Sequence, residues 1–222
     1  MTDQSPFWRS VDVSKTAVLL SDVQTQLLSH MSEAEQEKYL SSVLELLQKF
    51  RTHISQRQSK GEARGPLIIH HVVSMDYATI NLSPYNKINN WALKRLQASG
   101  TTSKFTPVAD PAITVPKILH PEQGWNVNEF VLTKQAPSCF ISSSLLKILG
   151  ARDIKHVVLV GLTTEGSVLS SVRHGSDLDF HIIVPREGVW CDDTGLGETV
   201  LTQLVPRFAD VCDVADVENL IA

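Results

Sequence analysis

Cysteine is scarce in this sequence: three residues among 222, Cys139, Cys191 and Cys212, an odd number with no paired spacing. A disulfide framework is therefore not expected, and a reducing compartment, the cytoplasm, is. Long hydrophobic runs are missing as well. The longest, such as 157–162, are strand-length, so no segment is expected to span a bilayer. The first ten residues, MTDQSPFWRS, hold no apolar stretch that could serve as a signal peptide. Neither charge dominates: Lys and Arg number 20, Asp and Glu 24, for a formal net charge of -4. Without a dense basic stripe to displace counterions, a nucleic-acid partner is not expected. Repeats and low-complexity tracts are also lacking.

What remains is an average globular composition, 42% hydrophobic and 20% charged, in a chain long enough to bury a core without staples. Short β-branched runs alternate with longer helix-like stretches, the pattern of a parallel sheet covered on both faces. Strands are expected at 16–23, 66–74, 129–134, 156–160, 179–185 and 209–214. Helices are expected at 33–55, 86–98, 139–149 and 167–178, with another inside 197–208. In the first, Leu40, Val43, Leu44, Leu47 and Ile54 fall on a helical period. Gly100 and Gly150 stand where helices should stop. The expected fold is a three-layer α/β/α, doubly wound, Rossmann-like sheet of about six mainly parallel strands in the order 3-2-1-4-5-6. Residues 1–15 read as an arm and 16–222 as one domain. A Pro-rich insertion, 101–128, carries Pro107, Pro111, Pro116 and Pro121 and is expected over the ligand-binding edge.

Three strings fall at the ends of three different strands. Ser21-Asp22-Val23-Gln24 puts a carboxylate where an apolar strand ends, where partial burial can tune it for proton transfer; a turn or helix-capping aspartate is the plainer alternative. Lys134, in Thr133-Lys134-Gln135-Ala136-Pro137-Ser138, ends strand three, where burial would demand a carboxylate partner, most simply Asp22. A surface lysine with a buried stem is its alternative. Ser138 suits a helix N-cap. The third string runs from Gly161 through Leu162, Thr163, Thr164, Glu165, Gly166 and Ser167 to Arg173. A glycine-bracketed turn entering a helix aims backbone N–H groups at one point, as an oxyanion site requires. Ser167 stands where a nucleophile would, or is simply a small residue at a capped helix start.

Several patterns lead elsewhere and fail. The turn at 161–167 lacks the Lys and Ser/Thr of a phosphate-binding loop, and no G-x-G-x-x-G follows strand one, so no nucleotide cofactor is expected. His70 and His71 adjoin in one strand and face opposite sides, which rules them out as a chelating pair. Ser144-Leu145-Leu146-Lys147 matches S-x-x-K without the motifs that would support it.

As an ordered set the three strings resemble the isochorismatase-like, or cysteine hydrolase, family. Asp22 and Gln24 match its D-x-Q; Lys134, Ser138 and Phe140 its K-x-x-x-S-x-F; Gly161, Thr164, Val168, Ser171 and Arg173 its turn after strand four. The resemblance implies a catalytic triad of Asp22, Lys134 and position 167, and an oxyanion hole from the N–H groups of Thr163 and residue 167. It also implies a cis peptide between Leu162 and Thr163, with Gln24 near the substrate, a small-molecule substrate and a homo-oligomer, dimer or tetramer. Two positions depart from the family: Ser167 stands in place of its nucleophilic cysteine, and Glu165 in place of Asp or Asn. The metal-binding D-x-H of nicotinamidases is missing after strand two, so no zinc is expected. A serine hydroxyl is less acidic than a thiol and normally needs a histidine-type base. Hydrolysis of a vinyl ether by acid catalysis from Asp22 and hydrolysis of a C–N or acyl bond therefore both stay open. An engineered Cys-to-Ser form, or a family member that only binds ligand, are the alternatives.

Overall fold

The computed structural model describes residues 11–62, 65–73, 83, 85–88, 111–141 and 144–220. Its centre is a seven-stranded sheet built from β1 (Thr16–Ser21), β2 (Leu67–Val73), β3 (Glu129–Lys134), β4 (His156–Leu162), β5 (His181–Pro185), β6 (Val189–Trp190) and β7 (Asp210–Cys212). The hydrogen-bonded order is β3-β2-β1-β4-β5-β7, with β6 paired to β4, and every pair is parallel. The strand expected at 209–214 is β7, so the expected order holds, with the short β6 added.

The sheet is parallel because its strands are apolar on both sides. In β1 every residue is buried, and alternate side chains enter different cores: Val18 and Leu20 pack on one face, Ala17 and Leu19 on the other. The first face is covered by α2 (Glu33–Ser59), which follows the short α1 (Thr25–Leu28). Helix α2 buries Tyr39, Leu40, Val43, Leu46, Leu47, Phe50 and Ile54 as one stripe. A capping box starts it: the Ser32 hydroxyl accepts from the Glu35 N–H, and the Glu35 carboxylate accepts from the Ser32 N–H. The second face is covered by α3 (Leu145–Ala151), α4 (Leu169–Asp177) and the turns after α5 (Thr194–Thr199), which bury Val200, Leu201 and Val205, with α6 (Val217–Leu220) closing the described chain.

Several boundaries differ from expectation. The helix expected at 139–149 is instead a single 3-10 turn, Cys139–Ile141, followed by α3, which runs past Gly150; the left-handed position falls at Asp153 (φ 53°). The helix inside 197–208 begins earlier, with the Asp193 side chain accepting from the Leu196 N–H. Strand β1 stops at Ser21 because Asp22 turns left-handed (φ 62°), which breaks the extended backbone. In the Pro-rich insertion, residues 111–119 form two 3-10 turns that bury Val115 and Leu119 in the core under α2. Most of the helix expected at 86–98, together with Gly100, residues 101–110 and the arm up to residue 10, lies outside the described residues.

Candidate active site

The sheet order places β1 beside β4, at the point where the strand order reverses, and ligands of such sheets bind beyond the carboxyl ends of the strands there. Asp22 follows β1 and Ser167 lies in the turn after β4. Lys134 ends β3, two strands from β1, or about 10 Å at ordinary strand spacing. A short cationic side chain could not cross that gap; the long lysine side chain does.

The three side chains meet. Lys134 Nζ shares its three N–H groups among four oxygens: Asp22 Oδ2 at 2.7 Å, the carbonyls of Pro137 (2.7 Å) and Ala136 (3.0 Å), and Ser167 Oγ at 3.2 Å. Ser167 Oγ in turn donates to Asp22 Oδ2. The serine hydroxyl thus accepts from the lysine and donates to the carboxylate, which fixes the direction its proton points. All three residues are buried. An ammonium is costly to bury, and here a carboxylate and two folded-back carbonyls surround it. Burial pushes the Asp22 pKa up; the Lys134 charge and the hydrogen bonds from Lys134 and Ser167 pull against that shift without cancelling it.

The turn carrying Ser167 depends on close backbone approach. A Cβ on Gly161 would lie 2.2 Å from the Ser21 carbonyl oxygen, so β4 can run beside β1 only with glycine there. The peptide between Leu162 and Thr163 is cis. The Thr163 carbonyl accepts from the N–H groups of Gly166 (3.1 Å) and Val168 (3.2 Å), and the wide turn Thr164–Val168 then passes into α4. Leu162 is buried and Thr163 half-buried. Glu165 turns toward Cys191, whose thiol burial and the Glu165 carboxylate push up to about 11.

Gln24 sits beside the end of β2. Its Oε1 accepts from the Val73 N–H at 2.8 Å, and its Nε2 faces the Val73 carbonyl and Thr114 Oγ1, each at 3.4 Å. The amide is spent tying the end of β2 to the insertion. Ser138 caps the turn after Lys134, accepting from the Phe140 N–H at 3.2 Å, and lies 3.1 Å from His174 Nδ1. His70 packs on the α2 side, 3.1 Å from the Glu129 carboxylate that Arg51 also holds. His71 points the other way, fully buried; burial and the Lys134 charge pull its pKa down to about 3, against the pull of Asp22, and the imidazole is neutral. Among the described residues no group of three or more His, Cys, Asp or Glu side chains could hold a metal ion.

Two further side chains stand close to the site: Cys139, which follows the lysine string closely and reads as a small buried residue or one facing the pocket, and Tyr39. The Cys139 thiol is buried within electrostatic reach of Lys134 and Asp22, and burial pushes its pKa up. A thiol therefore already stands beside the pair, which argues against a simple exchange of sulfur for oxygen at position 167. Tyr39 reads as core on the α2 period, yet its hydroxyl feels the Asp22 charge; a phenol in an otherwise apolar stripe was the available signal.

The isochorismatase domain family matches residues 16–216. A solved isochorismatase family protein from Burkholderia thailandensis superposes with a TM-score of 0.67 at 20% identity, over 95% of this chain and 97% of that one. A cysteine hydrolase from Pseudomonas syringae gives a TM-score of 0.67 at 17% identity, over 98% and 97%. Maleamate amidohydrolase from Pseudomonas putida is 34% identical over 83 residues, 37% of this chain; the match spans 39% of that protein's length. With nearly its whole length covered by the family, from the first strand to the last turns, this chain belongs to the isochorismatase family of hydrolases.

Proposed function

We propose that the protein hydrolyses a C–N bond of a small amide-type substrate, with Ser167 as nucleophile and Asp22 as its base. One observation carries this reading: the Ser167 hydroxyl accepts from Lys134 while donating to Asp22 Oδ2. That is the arrangement a serine needs to lose its proton as it attacks. It removes the need for a histidine, because the carboxylate itself is in contact and burial raises its pKa.

Attack of Ser167 Oγ on the substrate carbonyl carbon passes the hydroxyl proton to Asp22 Oδ2 and leaves a negative charge on the carbonyl oxygen. The N–H groups of Thr163 and Ser167 are the assigned donors to that oxygen. As the C–N bond breaks, Asp22 returns the proton to the leaving nitrogen, and an ester to Ser167 remains. Water then adds to the ester carbon, giving its proton to Asp22. Collapse releases the acid, and the proton returns to Ser167 Oγ. Lys134 donates to the carboxylate and the serine oxygen and steadies both as charge develops. Gln24 acts at one remove, holding the ends of β1 and β2 at fixed spacing.

The partial likeness to maleamate amidohydrolase agrees with C–N chemistry and makes maleamate the first substrate to assay. A second reading rests on the same raised Asp22 pKa: a protonated Asp22 could donate to the carbon of a vinyl ether of the isochorismate type, with Ser167 only positioning water. Assay of the protein and of Ser167→Ala on maleamate and on isochorismate separates the two. Loss of amide hydrolysis in Ser167→Ala supports the first; retained vinyl-ether hydrolysis in that variant supports the second. A cytoplasmic homo-oligomer, dimer or tetramer, completes the proposal; light scattering at micromolar concentration tests its assembly.

A further inference from the structure

Asp22 uses only one of its oxygens in the triad. Oδ2 takes both Lys134 and Ser167, while Oδ1 is buried without a hydrogen-bond partner among the described residues. The Tyr39 hydroxyl is in the same position: the residue is 4% exposed, and its oxygen too has no partner among the described residues. Leaving either group unsatisfied is costly, so each calls for an explanation.

The two are brought together by the way α2 runs down the sheet. At the foot of the sheet Arg51 of α2 pairs with Glu129, the first residue of β3, at 2.7 Å. From Arg51 back to Tyr39 the helix climbs about 18 Å. From Glu129 to Lys134 the strand climbs about 17 Å. Tyr39 is therefore level with Lys134 and with the carboxyl ends of the strands. It lies in the same core as Val23, which follows Asp22, and Leu162, which precedes the turn of Ser167. The Asp22 charge reaches the phenol and, with burial, holds its proton on firmly, so the hydroxyl is a donor.

From this we infer that Tyr39 Oη and Asp22 Oδ1 together hold the attacking water, which gives its proton to Asp22. Tyr39 is then a substrate-side positioning residue supplied by the first long helix. The chemistry on the two sides differs: the phenol donates, and the carboxylate accepts or returns a proton. Only a group with both a lone pair and a hydrogen fits between them. The inference rests on the hydrolytic role proposed for Asp22.

Two measurements on the full chain test it. In a crystal structure of the ligand-free protein, a water oxygen is expected within about 3.2 Å of both Tyr39 Oη and Asp22 Oδ1, and it is expected to be lost in Tyr39→Phe. On whichever of maleamate or isochorismate the protein turns over, Tyr39→Phe is expected to lower kcat/KM about 10- to 100-fold, the effect of a donor lost near a charge. On maleamate, where Asp22 acts as base, the acid limb of the pH profile should move to higher pH, because the ionised carboxylate loses the donor that faces it across the held group. A purely structural tyrosine would move neither limb nor water. A Tyr39 hydroxyl bonded to a protein group, a water that persists in Tyr39→Phe, or unchanged kcat/KM and pH profile would each overturn the inference. If the wild-type protein turns over neither substrate, the proposed function fails instead, and the crystallographic comparison alone decides the role of Tyr39.

Discussion

Lys134 Nζ and Asp22 Oδ2 lie 2.7 Å apart with side chains 0% and 4% exposed, joined across 112 positions of chain. Everything else at the site is arranged around that pair: the folded-back carbonyls of Ala136 and Pro137 on one side, the Ser167 hydroxyl on the other.

Removing one member of the pair should therefore cost more than removing both. Lys134→Met leaves a buried carboxylate without its cation and is expected to destabilise the fold by about 3–5 kcal/mol. Asp22→Asn combined with Lys134→Met should recover part of that loss. Urea unfolding of the single and double variants measures the coupling. Additive losses would mean the two charges do not depend on each other.

Gly161→Ala is expected to destabilise by about 3 kcal/mol, at the upper end of overpacking effects, because the added methyl meets the Ser21 carbonyl at 2.2 Å and neither strand can yield alone. It should also reduce activity, since the displaced segment runs straight into the turn of Ser167. Thermal unfolding with a parallel activity assay checks both; an unchanged midpoint would contradict the packing at the β1–β4 seam.

The contrast between these two sites shows what a sequence reading can reach. Asp22 and Lys134 stand where strands stop and Ser167 in the turn after β4, and a parallel sheet gathers strand ends on one edge; their union in one triad was legible only through the family resemblance of the ordered strings. The strand order followed from the same logic. Tyr39 was not legible as part of the site: on the α2 period it is one more buried position, and only the pairing of Arg51 with Glu129 sets its height. Residues 111–119 read as loop because prolines hide any periodicity, although Val115 and Leu119 belong to the core. The two-residue β6 is too short to carry a pattern. Gly150 misled because Asp153, a residue that tolerates the left-handed region, ends α3 instead.

His71 should make the fold acid-sensitive. Its folded pKa is pulled down to about 3 from an ordinary 6.5, so the unfolded chain binds a proton that the folded one refuses. Stability contributed by the neutral ring is present above pH 6.5 and falls as pH drops from 6.5 toward 3. The expected slope is about 1.4 kcal/mol per pH unit for this one proton. His71→Asn, which cannot titrate, should flatten the profile across that window whatever its absolute stability. Urea unfolding at pH 7, 6, 5 and 4 reads the slope, and equal slopes in both proteins would show that His71 takes up its proton freely in the fold.

Ser167 is the group that attacks in the proposed reaction. The most direct measurement is intact-mass analysis of the protein mixed with maleamate and quenched on the millisecond-to-second scale, alongside Ser167→Ala and Ser167→Cys. Expected are an acyl adduct on Ser167, none on Ser167→Ala together with a rate loss of at least about 1000-fold, and a thioester adduct on Ser167→Cys. Maleamate hydrolysis at an undiminished rate by Ser167→Ala would contradict attack by Ser167.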